Sequence, residues 1–323
     1  MNDSIEVKKS KKSFPWGWVA GGGILFLLFF SVLFFLVFIG LLFGSSTAEL
    51  GTGNVAVIPI TGAIVTQASQ TFFSEKDASS ADIIEMIKKA DADRNIKAII
   101  FEINSPGGST VPTDEISRAI KNVNKTTVAW VRDVAASGGY WVASSCDVIV
   151  ANRMSIIGSI GVISSYLDFS GLINRYNVSY ERLVSGDYKD MGVPFRELTD
   201  DERSYLNEQL GSIHDIFILE IAENRNMSVD DVKKLADGRF FLALQGEKMG
   251  LVDILGGKEE AVKYIEDEHE IKAKLNYYKK KQGLFDSLAL IMHQGSVGMG
   301  KGIVQSIKGE ANTKDIYSNG LII

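Results

Sequence analysis

Apolar and polar positions follow three patterns along this chain. From Trp16 to Phe43 no charged side chain interrupts an almost wholly apolar run, longer than the ~20 residues that cross a hydrocarbon core. The pattern predicts a membrane-spanning helix over 16–44. A cleaved leader has an apolar stretch of only about 7–15 residues, so this one is expected to stay as an anchor. A buried core helix is disfavoured because nothing polar marks a solvent face.

After a polar linker, SSTAELGTG (45–53), short apolar runs alternate with helical stretches. NVAVIPITGAI (54–64) reads as a strand, and SSADIIEMIKKADAD (79–93) as a Ser-capped helix with Ile83, Ile84 and Ile87 on one face. IKAIIFEI (96–103) is a second strand, followed by the helix VPTDEISRAIKNV with proline near its start. TTVAWVRDV (126–134) is a third strand, and 147–163 holds at least one more. Strands alternating with helices imply βαβ units and a mainly parallel sheet. Length alone allows one large domain or two small ones. No repeat of 20–50 residues is present.

Charge sharpens the topology. Lys8, Lys9, Lys11 and Lys12 precede the apolar run and Glu49 follows it, with Trp16 and Trp18 at the expected interfacial level. The basic segment 1–15 is thus expected in the cytoplasm, and everything after about residue 45 outside the cell membrane. Residues 1–15 carry a net +2 of a total of −6, so the remainder holds −8. An acidic remainder argues against nucleic acid as a partner. The single Cys146 forms no disulfide within the chain and reads as a buried apolar filler.

Two strand-to-helix junctions are glycine-rich, NSPGGS (104–109) and AASGGYW (135–141). Such junctions collect chemistry in open α/β folds, because backbone N–H groups can point into a cleft. Ser137 falls where a helix begins. On spacing alone it fits an ordinary N-cap as well as a nucleophile. The PGG turn lacks the GK[ST] ending of a phosphate loop, so no nucleotide cradle is expected. A serine nucleophile needs a base, and histidine is scarce. His214 lies in the amphipathic helix 202–226, with Leu206, Leu210, Ile213, Phe217 and Ile221 on its apolar face, and His269 lies in the charged run EDEHEIK, where it reads as solvated. A lysine kept neutral by desolvation is the alternative base.

The set INSPGG, AASGGYWVAS, SIIGSIGVI, SGDYKDMG and DGRFF...GEKMGLVDILGG, in that order and spacing, resembles the signal peptide peptidase A family, membrane-anchored serine–lysine proteases of the ClpP/crotonase-like fold. The resemblance covers residues 52–275. It implies an α/β fold of repeated ββα units in a superhelix with mainly parallel sheets, behind an N-terminal transmembrane helix, with the protease domain at 54–282 and a tail at 283–323. It implies Ser137 as nucleophile and Lys189 as general base, though outside that context Lys189 reads as a solvated loop lysine. Ser159 matches the serine that positions the lysine amine; its plain alternative is turn chemistry between Gly158 and Gly161. The backbone N–H groups of Gly108 and Gly138 are implied as the oxyanion hole. Neither cofactor nor metal is expected.

The same resemblance implies remnant signal peptides and other apolar, unfolded peptides as substrates, with Ile156, Ile157, Ile160 and Val162 as candidate groove residues or ordinary strand core. The chain carries one copy of a domain that long family members carry twice. A homo-oligomeric ring is therefore implied, with the dyad able to form across a subunit boundary, and helix 200–226 and segment 228–265 as packing elements. The chain departs from the family pattern at Leu242 to Leu244. Three other classes stay open: an inactive scaffold relative, a crotonase-type acyl-CoA enzyme, and a membrane serine–lysine protease acting on stomatin-like partners.

Overall fold

The structure is a computed structural model that describes residues 26–35, 53–67 and 77–278. Helix α1 occupies 26–35. Among the described residues no helix is long and apolar enough to cross a membrane; the rest of the span predicted over 16–44, the basic segment 1–15 and the tail 283–323 lie outside them.

The β-branched runs form the strands their composition favours. β1 (Val55–Thr61), β4 (Ala98–Ser105), β5 (Thr126–Ala136) and β6 (Val148–Ala151) pair in parallel in the order β1-β4-β5-β6. Two short strands extend the edges, β10 (Leu275–Tyr277) beside β1 and β9 (Ile254–Leu255) beside β6. Side chains alternate between two buried faces. Ile58, Ile60, Ile99, Phe101, Ile103 and Val131 point into one core, and Val55, Val57, Ile100, Val128 and Val150 into the other. Burial on both faces explains why these strands read as continuous apolar runs.

The first face is covered by α2 (Ser80–Ala92), α3 (Thr110–Lys121) and α4 (Gly138–Ser144), and the second by α9 (Lys258–His269) through Ala261 and Ile265. Ser79 caps α2 by accepting from the Asp82 N–H, as the sequence predicts. The expected strand 54–64 breaks at Gly62, whose φ of 82° turns the chain, so Ile64–Val65 becomes a separate β2 paired with β3 (Ala78–Ser79).

β5 is the strand that organises the site. Its first half pairs with β6, and its second half, Val134–Ala136, pairs with β7 (Ile156–Gly158). β7 in turn pairs with β8 (Phe240–Leu242) in the sheet's antiparallel contact. After β7 the chain leaves the sheet as an arm, 161–199, whose regular element is the short α5 (Ser170–Arg175). It returns through α6 (Asp200–Asn224), whose C-terminal half packs Phe217 against Trp141 of α4, rings 4.9 Å apart and nearly parallel. α7 (Val229–Leu235) and α8 (Ala243–Lys248) complete the chain's own core, with Val232 and Ala243 fully buried.

Candidate active site

Ser137 is held at a strained corner. It joins β5 to α4 with φ 51° and ψ −125°, a region that costs a non-glycine residue on the order of 1–3 kcal/mol and persists only where its surroundings over-determine it. They do so here. Its N–H donates to Gly158 O at 2.8 Å across the β5–β7 edge, and its carbonyl accepts from the N–H groups of Tyr140 (2.9 Å) and Trp141 (3.0 Å). The side chain makes no capping bond. Ser137 is thus the N-cap of α4 without the usual capping side-chain bond, and its half-buried hydroxyl has no hydrogen-bond partner among the described residues.

The two glycine-rich junctions meet at this corner. Gly107 has φ 101°, and a Cβ there would lie 2.9 Å from Ser137 Cβ and 2.8 Å from Gly138 N. Gly108 is locked against β2, because Ile64 donates to Gly107 O and accepts from the Ser109 N–H, each at 2.9 Å. A Cβ on Gly138 would sit 3.4 Å from Gly108 N and 2.6 Å from Thr113 Oγ1. The backbone of Gly108 and Gly138 thus lies side by side next to Ser137, and neither N–H has a hydrogen-bond partner among the described residues. Two free donors beside a free hydroxyl form a geometry suited to an oxyanion.

Ser159 follows the residue whose carbonyl holds Ser137. Its own φ is 52°, its N–H donates to Arg239 O (3.0 Å) and its hydroxyl to Gly238 O (3.2 Å). Lys189 is an exposed residue of the arm, its N–H donating to Gly186 O, and no hydrogen bond joins its amine to Ser137 or Ser159 among the described residues. The arm leaves many of its apolar side chains open to solvent, Ile163 at 85% and Leu183 at 94% exposed. A hollow of about 370 Å³ in it is lined by Ile173, Val178, Tyr180, Arg182 and Phe195, away from the Ser137 junction.

Among the described residues, His269 and Lys125 are tied up at the far end of β5. His269 is not the solvated residue its charged neighbours suggest: its Nε2 lies 2.9 Å from Thr126 Oγ1 at the start of β5. Thr126 is eleven residues from Ser137, about 36 Å at ~3.3 Å per residue along the strand. His214 is half-buried on α6 with its Nε2 unpartnered. Lys125, which sequence reading passes over, has its amine pushed down by burial, but it donates to Ala90 O and Asp93 O, both at 2.6 Å, at the far end of β5.

Of the four candidate groove residues, Ile157 and Ile160 are fully buried core, while Ile156 and Val162 are half-buried. The Leu242 to Leu244 departure is accommodated locally, since the Gln245 side chain accepts from the Leu242 N–H and so starts α8. Segment 228–265 folds mainly onto its own core through Val232, Leu251, Ala261 and Ile265. Cys146 is buried, and burial holds its thiol well above the usual range.

Comparison with known proteins places this arrangement among proteases. The model of peptidase family S49 matches residues 119–272, and that of Clp protease matches 58–163. A protein of Methanocaldococcus jannaschii provisionally named a protease is 31% identical over 242 residues, covering 73% of this chain and 76% of its own. A protein of Enterococcus faecium provisionally named signal peptide peptidase SppA is 32% identical over 230 residues, covering 70% and 67%. Protease 4 of Haemophilus influenzae is 29% identical over 216 residues, 66% of this chain and 34% of its own.

Proposed function

This chain belongs to peptidase family S49 and is a serine peptidase, and on that premise we propose that it is a membrane-anchored endopeptidase working through a Ser137–Lys189 dyad. The observation that carries the reading is the strained Ser137, its hydroxyl free beside the unpartnered N–H groups of Gly108 and Gly138.

The chemistry is acyl transfer in two halves. Neutral Lys189 accepts the Ser137 proton as Oγ bonds to the peptide carbonyl carbon, and the oxygen's developing charge is met by the two glycine N–H groups. The tetrahedral adduct collapses by breaking the C–N bond, and the lysine ammonium gives its proton to the departing amine. Water, deprotonated by the same lysine, then attacks the acyl ester and frees Ser137. Ser159 holds the amine in line. No cofactor or metal takes part in this scheme.

The lysine reaches the serine across a subunit boundary. An exposed amine on an apolar, uncovered arm fits a base lent to a neighbouring copy better than one used at home. The reading includes a homo-oligomeric ring of ClpP-like ββα superhelical protomers tethered by the 16–44 span, with active sites outside the cell membrane. Substrates are remnant signal peptides and other unfolded apolar peptides delivered along the bilayer.

Mixing subunits tests this directly. Ser137→Ala and Lys189→Ala each abolish hydrolysis of a fluorogenic apolar peptide by the detergent-solubilised enzyme. Ring proteins co-assembled from equal amounts of both variants regain about a quarter of wild-type turnover, the share of random neighbour pairs holding one intact serine and one intact lysine. No recovery on mixing would place both groups in one chain, and turnover surviving either single change would remove the dyad.

A further inference from the structure

A buried hydroxyl that the acyl-transfer scheme leaves unused holds the NSPGG loop in place. Ser105 ends β4 and is fully buried. Its Oγ donates to Gly62 O at 2.7 Å and accepts from the Gly107 N–H at 3.2 Å. One side chain thus ties the turn that leads into β2 to the glycine pair beside Ser137. The register of β4 on β5 brings it there. Between the pairs Ile103–Val131 and Ser105–Ala135, β5 advances four positions against two of β4, a bulge of the kind that re-aims side chains near active sites. Asn104 Oδ1 fills the gap by accepting from the Val134 N–H at 3.2 Å. Ser105 therefore faces Ala135, two residues before Ser137.

What this arrangement fixes is a direction. Gly107 and Gly108 lack a Cβ, so the peptide unit between them can swivel at little steric cost. In a trans unit the C=O and the following N–H point opposite ways. The Ile64 N–H holds Gly107 O at 2.9 Å, which turns the Gly108 N–H away from β2. Gly108 N accordingly lies 3.4 Å from where a Cβ on Gly138 would be. A flipped unit would instead aim Gly107 O at the Ser137 corner, setting a carbonyl where an oxyanion has to sit. The Ile64 bond opposes that flip, and Ile64 is itself held in place through the Gly62 turn, whose N–H donates to Asn104 O at 3.0 Å and whose carbonyl is bonded to Ser105. Ser105 grips both parts: the Gly107 N–H on the loop and Gly62 O on the turn.

We propose that Ser105 is a positioning residue for the peptidase reaction: its hydroxyl fixes the Gly107–Gly108 peptide unit so that the Gly108 N–H meets the oxygen of the scissile carbonyl. This deepens the reading of Gly108 as an oxyanion donor and rests on it. Being fully buried, Ser105 acts through the loop and not on the substrate.

Kinetics of the full-length, detergent-solubilised enzyme test it, with the denaturant midpoint measured alongside. Ser105→Ala lowers kcat for the fluorogenic apolar peptide about ten- to a hundredfold and leaves KM within about twofold, short of the 10²–10³-fold loss when an oxyanion donor is removed outright. Inhibition by an aldehyde of the same peptide weakens by a similar factor, because its oxygen takes the oxyanion's place once Ser137 Oγ adds to the carbonyl carbon. Binding of the corresponding peptide alcohol, which has no carbonyl, is unchanged. A merely structural hydroxyl lowers the denaturant midpoint and leaves the preference for aldehyde over alcohol where it was. Wild-type kcat in Ser105→Ala, or equal weakening of aldehyde and alcohol, overturns the inference. If Ser105→Ala fails to fold, Ser105→Cys decides, since it fills the space but keeps only a weak S–H donor: a loss of about three- to tenfold confined to kcat and the aldehyde supports the assignment, and wild-type values for both overturn it. Wild-type turnover in Gly108→Ala is a separate result, for it removes the donor and not the residue that aims it.

Discussion

The sheet that carries Ser137 and the arm that carries Lys189 bury their apolar side chains to opposite extents. Ile99, Ile100, Phe101 and Ile103 of β4 are fully buried, whereas Ile163, Leu167, Leu172 and Leu183 of the arm are open to solvent. Each buried isoleucine contributes about 1.5–3 kcal/mol relative to its exposed form. The arm's side chains gain nothing comparable within the chain. The Ser137 corner is thus built by the chain's own core, while the arm that carries Lys189 is tied to α6 through the Arg196–Glu202 ion pair.

The sharpest way to break this contrast is to truncate both regions. Phe101→Ala is expected to cost about 3–5 kcal/mol by opening a cavity between β4 and its covering helices, read as a fall in denaturant midpoint. Gly108→Ala comes next. Its Cβ would fall 2.1 Å from Ile64 O, so the backbone must move and one oxyanion donor is misplaced, lowering kcat by about 10²–10³-fold. Equal turnover in Gly108→Ala would mean that the Gly108 N–H is not a donor to the reaction.

Leu183→Asp makes the opposite prediction for the arm. At a side chain 94% exposed, the change should alter protomer stability by no more than about 0.5 kcal/mol. If the proposed ring forms through the arm, the change should nonetheless disperse it in analytical ultracentrifugation, because a charge is then placed on the apolar face which that reading gives to a neighbour. Loss of protomer stability comparable to Phe101→Ala would show instead that the arm belongs to the folded core.

The same contrast explains what could be read in advance. Strands β1, β4 and β5 and helices α2 and α3 are legible because burial inside one chain writes continuous apolar runs into the strands and a helical period into the helices, and the Ser137 junction is legible because its glycines are required by contacts of 2–3 Å. Strands of two or three residues, such as β8, β9 and β10, are too short to carry a period. The bond from Ser137 N–H to Gly158 O depends on strand register, which spacing does not reveal. In the arm, apolar residues answer to no core of their own chain, so Lys189 could be singled out by resemblance but not by periodicity. Ile156, Ile157, Ile160 and Val162 stayed ambiguous for the converse reason, since a strand core and a substrate groove use the same side chains; Ile157 and Ile160 take the core alternative.

Acid should separate the two regions by the smallest perturbation of all. Arg196 holds the Glu202 carboxyl down to about 2 from an ordinary 4.5, and Asp190 is held low by the same guanidinium and by Arg182. A carboxyl whose folded value is depressed binds fewer protons folded than unfolded, so its stabilisation is complete above about 4.5 and is lost as pH falls toward about 2. Glu202 fastens the arm to α6 through Arg196 and Thr199, Asp190 joins Arg182 and Arg196 within the arm, and neither carboxylate is hydrogen-bonded to β4 or β5. Between pH 4.5 and 2, amide hydrogen exchange should therefore accelerate across 186–199 and the first turn of α6 while β4 and β5 keep their protection. Simultaneous loss in arm and sheet would mean that the two unfold as one unit, and the lysine turn would then be held by the core after all.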